Sequence, residues 1–217
     1  MRKHLVKRLL EWMTDLSLPG EEQVGFRVGS SMLDHSLTLM FLAGKYYLHF
    51  HGKLIVAFID LRGAFDSISR SLLWNKLGSK GLDPHLLFLV CKLHSDNSCQ
   101  VRVNNKGLLT KDISVSKGMK QGCVLAPALL IYPCQIYQTI LPQLNIMLLS
   151  SVPLLLYADD IVLLSTTKSG LIQLLSAIVD FCSKSDLTIN TDKSKILIFS
   201  KSWKPTSLFG LQQPTTR

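Results

Sequence analysis

Apolar side chains recur every three or four residues at Leu5, Leu9, Trp12, Met13 and Leu16. That is the spacing of one helix face, so a packed first helix is expected, ending near the Pro19-Gly20 breaker pair. A second helix is expected from Asp34 to about Tyr47, with Leu37, Phe41 and Ala43-Gly44 on its packed side. The period then changes. Leu54 to Ile59 is an unbroken run of β-branched, aromatic and aliphatic residues of strand length, with Asp60 at its end. A further helix should begin near Ser67, capped by Asp66 or Ser67, carry Leu72, Leu73, Lys76 and Leu77, and stop at Gly78 and Gly81.

Downstream, Cys99 to Val103 alternates like a strand, residues 104–107 read as a turn, and Ile113 to Val115 as the returning strand. Residues 117–122 form a basic, glycine-containing loop. The runs LLLYA and IVLLS flank Asp159-Asp160, which predicts a hairpin turning on the two aspartates. Leu171 to Ser183 has helical spacing at Leu171, Leu174, Leu175, Ile178 and Phe181. Leu187 to Ile189 and Ile196 to Phe199 read as strands around the turn 190–193. Strands and helices mix without strict βαβ alternation and no internal repeat is visible, so the pattern predicts an α+β fold with a largely antiparallel sheet.

Composition narrows the classes. With 217 residues, 47% of them hydrophobic, the chain can bury a core, and global disorder is excluded. Its formal charge of +9, from 24 basic against 15 acidic residues, favours a polyanionic partner, a weak signal because many soluble proteins are basic. Five cysteines, Cys91, Cys99, Cys123, Cys134 and Cys182, are odd in number and never form Cys-x-x-Cys. No disulfide partner and no zinc knuckle are expected, and an intracellular setting follows. The histidines, including His49 and His51, read as surface or interface residues. The segment from Ile146 to Leu164 is the nearest approach to a membrane span, but each Asp at a bilayer centre costs about 2.5–3.5 kcal/mol, so no membrane is expected. The basic start lacks an apolar stretch of signal-peptide length.

The chemistry concentrates on three carboxylates. An Asp-Asp pair is common at a turn. Here, however, apolar runs on both sides imply a covered hairpin, where neighbouring like charges raise each other's pKa and a compensating cation is called for. Asp60, ending another apolar strand, is the natural third member. Two such strands side by side would bring Asp60, Asp159 and Asp160 to one point, an oxygen-ligand set suited to Mg²⁺ or Mn²⁺. Two ions about 3.5–4 Å apart would serve in-line phosphoryl displacement, the chemistry of polymerases and nucleases.

Four segments then carry a resemblance: AFIDLRGAFDSISRSLLW (57–74), KGMKQGCVLAP (117–127), LLLYADDIVLLS (154–165) and LTINTDKSKILIFSK (187–201). Their order resembles that of the palm motifs of reverse transcriptases. The upstream QVGFRVGSSMLDHSLTLMFL (23–42) is similar to the preceding segment in LINE-type, non-long-terminal-repeat retrotransposons. The likeness runs from about Leu9 to Lys201. It implies a right-hand polymerase palm, an antiparallel sheet backed by helices, over 56–200. A partial fingers segment over 1–55 and a short tail toward a thumb over 201–217 would complete the chain.

The resemblance also implies roles. Asp60, Asp159 and Asp160 become the metal-binding acids, with Asp60 and Asp159 the principal ligands. Phe65 matches the aromatic that lies under the incoming sugar and excludes a 2′-hydroxyl; on spacing alone, core packing remains its other reading. Gln121 and Gly122 match the loop that contacts nucleotide and template, and a residue without a Cβ permits close approach. Tyr157 matches the aromatic near the primer end, with a half-buried hairpin tyrosine as the alternative. Lys193 matches the lysine beside the triphosphate, suited as a compact cation to protonate leaving pyrophosphate; the turn around it also suits plain exposure, and Lys195 is a weaker candidate. Arg27 matches a fingers residue near template or phosphate. The implied activity is RNA-directed DNA polymerisation with two Mg²⁺ or Mn²⁺ ions, a DNA primer, an RNA template and dNTP.

Two departures accompany it. The earlier fingers motifs, an endonuclease, most of the thumb and a C-terminal zinc segment are not found in these 217 residues. After Pro127, where the family has a helix, prolines follow at 133 and 142, and the Phe-Asn-x-Tyr pattern is lost. Both suit a truncated retrotransposon copy, with a catalytically inactive remnant that at most binds nucleic acid as the alternative.

Overall fold

In the computed structural model, the residues described are 2–18, 20–25, 27, 29–46, 52–95, 97–103, 109–120, 122–131 and 154–200. The chain packs as two compact units, each discontinuous in sequence: 1–18 with 63–133, and 19–62 with 134–217. This division reflects packing, whereas the boundaries at 55 and 200 divide the chain by motif.

The second unit contains α2 (Met32–Gly44), β1 (Leu54–Ile59), β4 (Leu154–Tyr157), β5 (Asp160–Ser165), α7 (Lys168–Lys184) and β6 (Lys195–Phe199). Its strands form an antiparallel sheet in the order β4-β5-β1-β6. The fold is α+β, of the palm type. β1 falls on the expected residues, and an inner strand covered on both faces has no need of polar alternation. Leu54, Val56, Leu155 and Leu164 pack with Ala43, Leu39 and Leu42 of α2 on one face. α7 contacts β5 and β1, and buries Leu171, Leu174, Ile178 and Phe181 of the expected stripe. Thr167 caps it, its hydroxyl accepting the Gly170 N–H at 3.0 Å.

α2 faces in part differently from expectation. Leu37 and Phe41 are 62% and 71% exposed, whereas Ala43 is buried as expected and packs together with Leu39 and Leu42. The helix is apolar almost all round, so its periodicity does not single out a buried stripe. Of the strand expected at Leu187–Ile189, an isolated bridge from Ile189 to Leu61 forms.

The first unit contains α1 (Arg2–Asp15), α3 (Ala64–Ser67), α4 (Arg70–Ser79), α5 (Pro84–His94), α6 (Ala126–Ile131) and a short ladder of β2 (Ser98–Cys99) with β3 (Ile113–Ser114). α1 buries Leu5, Leu9 and Met13 as expected, whereas Leu16 lies past its end and is exposed. The single helix expected from Ser67 is two. Ile68, with φ −56° and ψ 121°, breaks it, and Ser69 rather than Asp66 or Ser67 precedes α4. The Ile68 carbonyl freed by this break accepts the Gly118 N–H at 2.9 Å. α5 was not anticipated, although Asp83-Pro84 is a helix start: the Asp83 carboxylate accepts the Leu86 N–H at 2.8 Å and Pro84 occupies the first turn. α6 forms within the described residues, while the prolines at 133 and 142 and the turn at 104–107 lie outside them. Among the described residues no helix is long and apolar enough to cross a membrane.

Candidate active site

The sheet presents its acids at one end. Strand β1 finishes at Ile59, opposite Ile161 of β5, and continuing that antiparallel register sets Asp60 opposite Asp160. The hairpin turns one residue earlier than expected. Tyr157 pairs with Asp160, so the turn residues are Ala158 and Asp159, and Asp160 is the first residue of β5. The physical reason is backbone conformation: Ala158 takes φ 56°, and Asp159 has no positive φ, the pattern of a turn with the left-handed residue first.

Asp60 is held from the turn after residue 189. Its Oδ2 accepts the Asn190 Nδ2–H at 2.8 Å, its carbonyl accepts the Asn190 N–H at 2.8 Å, and its own N–H donates to Ser194 Oγ at 3.1 Å. Ser194 Oγ in turn donates to the Asn190 carbonyl at 2.7 Å. Neither Asn190 nor Ser194 was singled out in the sequence, where they read as ordinary turn residues.

Asp60, Asp160, Tyr157 and Lys193 line one cavity of about 350 Å³, with Phe58, Val162, Met32, His35 and Leu39 among its other walls. Alternation along β1 explains Phe58, which shares a face with Asp60 and is the one exposed residue of its strand. Asp159 does not line the cavity. It remains close enough to matter: the Asp160 carboxyl is pushed above the usual aspartate range by desolvation, then by the charges of Asp159 and Asp60. His35 is pushed below the usual histidine range by burial, against the pull of Asp34.

Among the described residues no group of three or more His, Cys, Asp or Glu side chains is arranged to hold a metal ion. A Mg²⁺ ion, however, is usually held by one or two carboxylates together with water and substrate phosphates. Asp60 and Asp160, facing one cavity and repelling each other, are a donor set that fits such a hard cation.

Arg27, Phe65 and Gly122 are not among the residues that line this cavity. Arg27 is exposed and outside the cavity wall; its Nη1 donates to the Gly20 carbonyl at 3.3 Å, and its charge opposes the burial that raises the Glu22 carboxyl. Phe65 and Gly122 belong to the first unit. Phe65 is half-buried on α3, and its carbonyl accepts the Met119 N–H at 2.7 Å. Gly122 has φ +78° with nothing among the described residues beyond its chain neighbours within 4 Å of where a Cβ would stand, so its backbone conformation gives glycine a reason there. Gln121 lies outside the described residues.

A family profile described as "Reverse transcriptase (RNA-dependent DNA polymerase)" matches residues 1–213. The chain belongs to the reverse transcriptase family. This reverse transcriptase domain is 28% identical over 150 residues to the retrovirus-related Pol polyprotein from type-1 retrotransposable element R2 of Popillia japonica, covering 64% of this chain and 20% of the relative. It is 25% identical over 173 residues to the corresponding polyprotein from type-2 element R2DM of Drosophila melanogaster, covering 79% and 16%. The LINE-type resemblance is thereby supported, and the chain spans about a fifth of the length of the curated relatives it matches. Among solved structures, telomerase from Candida albicans with a fragment of telomeric RNA superposes with a TM-score of 0.69 at 15% identity, over 95% of this chain and 36% of that one. Apo telomerase from Candida tropicalis, truncated from the C-terminal domain, gives 0.68 at 15% identity, over 95% and 42%. At that identity the likeness concerns the fold.

The crowding of the acids has a consequence for stability. Because the folded state holds the Asp160 proton more tightly than the unfolded chain, ionisation of Asp160 weakens the fold above its raised pKa, and the loss recovers as pH falls through it. Asp160→Asn should therefore raise the melting temperature of the metal-free domain at neutral pH. Solvent screening keeps the gain below about 1 kcal/mol, or roughly 1–3 °C. Melting curves as the pH is lowered should show the gap between the two proteins closing, and a constant gap would count against the charge explanation.

Proposed function

We propose that the domain is the polymerising core of an RNA-directed DNA polymerase, adding deoxynucleotides to the 3′-hydroxyl of a DNA primer on an RNA template. The observation that carries this reading is the pair Asp60 and Asp160 facing one cavity beside Lys193, with Asp160 pushed up by its neighbours' charges. Family membership supports the same reading.

In this proposal the primer hydroxyl attacks the α-phosphate in line and pyrophosphate leaves. Asp60, Asp159 and Asp160 would hold two Mg²⁺ or Mn²⁺ ions, which supply charge neutralisation and activation of the attacking oxygen. Lys193 places an ammonium near the triphosphate and gives a proton to the departing pyrophosphate. Tyr157 lies beside the primer end. Phe65 excludes the 2′-hydroxyl, and Gln121 and Gly122 contact the nucleotide and template. Arg27 contacts template or phosphate. The test is incubation of the full chain with primer annealed to an RNA template, the four dNTPs and Mg²⁺. Extension that disappears with a chelator is expected; no extension with either Mg²⁺ or Mn²⁺ would remove the polymerase reading.

Phe65 offers a finer check. Replacing it by Val should raise the ratio of ribo- to deoxynucleotide kcat/KM by roughly 100-fold, about 2.7 kcal/mol of lost discrimination. An unchanged ratio would leave Phe65 a packing residue.

A second reading, a catalytically inactive remnant that binds nucleic acid without turnover, is favoured by the net charge of +9. It predicts salt-sensitive binding to RNA or DNA that is indifferent to Mg²⁺.

A further inference from the structure

The turn that carries Asp159 is held by a side chain from far away in sequence. Gln23 is 2% exposed. Its Oε1 accepts the backbone N–H of Gly25 and of Ala158, both at 2.9 Å, and its Nε2 donates to the Ala158 carbonyl at 3.1 Å. One amide group thus satisfies both backbone polar groups of Ala158, the residue at φ 56°. For a residue with a Cβ that conformation costs about 1–2 kcal/mol, so something must select it. Two backbone bonds bring Gln23 there: the Leu156 N–H donates to the Glu22 carbonyl at 2.8 Å and the Val24 N–H to the Leu156 carbonyl at 3.1 Å. Gly25 completes the fit, because a Cβ on it would stand 2.3 Å from the Ala158 nitrogen.

We propose that Gln23, with Gly25 leaving room for the approach, is a positioning residue that locks the Ala158-Asp159 turn and thereby fixes Asp159 and Asp160 relative to Asp60. The alternative it acts against is visible in the sequence: a hairpin turning on Asp159-Asp160, which takes Asp160 out of its pairing with Tyr157. Both turns suit the residues locally, since aspartate is a good turn former and alanine at positive φ is a poor one. In the structure the bonds from Gln23 meet the turn with Ala158 in its first position. An amide serves this purpose where a carboxylate or hydroxyl does not, because it accepts at one atom and donates at the other. The consequence for catalysis rests on the polymerase reading; the clamp itself does not.

The test uses the full chain with Gln23→Met, which keeps side-chain length and loses all three bonds, and Gly25→Ala, whose Cβ obstructs the approach of Ala158 and crowds the amide oxygen while leaving Gln23 itself in place. Amide hydrogen exchange at Ala158 and Asp159 reads the clamp, and steady-state extension reads its effect. Both variants are expected to melt cooperatively, to exchange the Ala158 amide about 30-fold faster or more, and to lose roughly 100-fold in kcat with dNTP KM changed less than about threefold. Unchanged exchange, or faster exchange with unchanged kcat, overturns the proposal, as does loss of cooperative melting in both variants, which would mark a purely structural residue. If the wild type extends no primer, the polymerase reading fails, whereas faster exchange confined to the turn of the variants still supports the clamp.

Discussion

Asp60→Asn is expected to reduce primer extension by about 1000-fold or more, a barrier increase of roughly 4 kcal/mol, while leaving the fold intact. The substitution removes one negative charge and little else. Asp60 Oδ2 accepts the Asn190 side-chain N–H at 2.8 Å, and an asparagine carbonyl oxygen can still accept it, though without the charge; the backbone bonds of residue 60 to Asn190 and Ser194 do not involve the side chain. Removing a charge that raises the Asp160 carboxyl should, if anything, stabilise the metal-free domain slightly. The expected signature is therefore an inactive protein that melts no earlier than the wild type. Asp159→Asn should lose activity to a similar degree, since the proposed two-ion site draws on all three acids. Extension by either variant within about tenfold of wild type would mean that the carboxylates are turn residues and not ligands.

Gly118→Ala should destabilise the first unit by about 3 kcal/mol or more, a far larger change than a one-carbon addition usually makes. Gly118 has φ +77°, and a Cβ there would come 2.7 Å from both the Cα and the carbonyl oxygen of Asp66. Backbone cannot step aside as the end of a side chain can. The loop is pinned in place as well: the Gly118 N–H donates to the Ile68 carbonyl, and the Arg70 guanidinium donates to the carbonyls of Gly118, Val115 and His94 at 2.8, 2.7 and 2.9 Å. Gly81 provides the control, having φ +81° but nothing within 4 Å of its Cβ position. Gly81→Ala should cost only the conformational part, about 1 kcal/mol. Chemical denaturation of both variants separates the two contributions, and equal losses would show that the contact with Asp66 relaxes freely. The same contact ties the glycine loop to α3, which carries Phe65.

Elements were legible where local pattern and tertiary need agree. β1 was read to the residue because an inner strand buried on both faces leaves an unbroken apolar run. α7 was read because it is amphipathic, with one covered stripe. In α2 Ala43 is buried as expected while Leu37 and Phe41 face outward, since a helix apolar on most sides carries little sign of which side meets the sheet. α5 lies outside the expected elements although Asp83-Pro84 is a helix start. In the candidate site, three acids flanked by apolar runs were conspicuous, and chemistry alone pointed from them to a divalent cation. Phe65, Gln121, Gly122, Lys193 and Arg27 were visible only through the order of the family motifs.

Residue types, their spacing and their order therefore established the antiparallel α+β fold, the acids at the ends of apolar strands and the kinship with reverse transcriptases. These are properties of local sequence, and hydrophobic burial translates them directly into strands and helices. The register of the acidic hairpin, the pairing of Asp60 with Asn190 and the grip of Gln23 on Ala158 arose only in three dimensions. The last two are hydrogen bonds between groups 130 or 135 residues apart, and no local pattern records which distant partner will meet a buried amide.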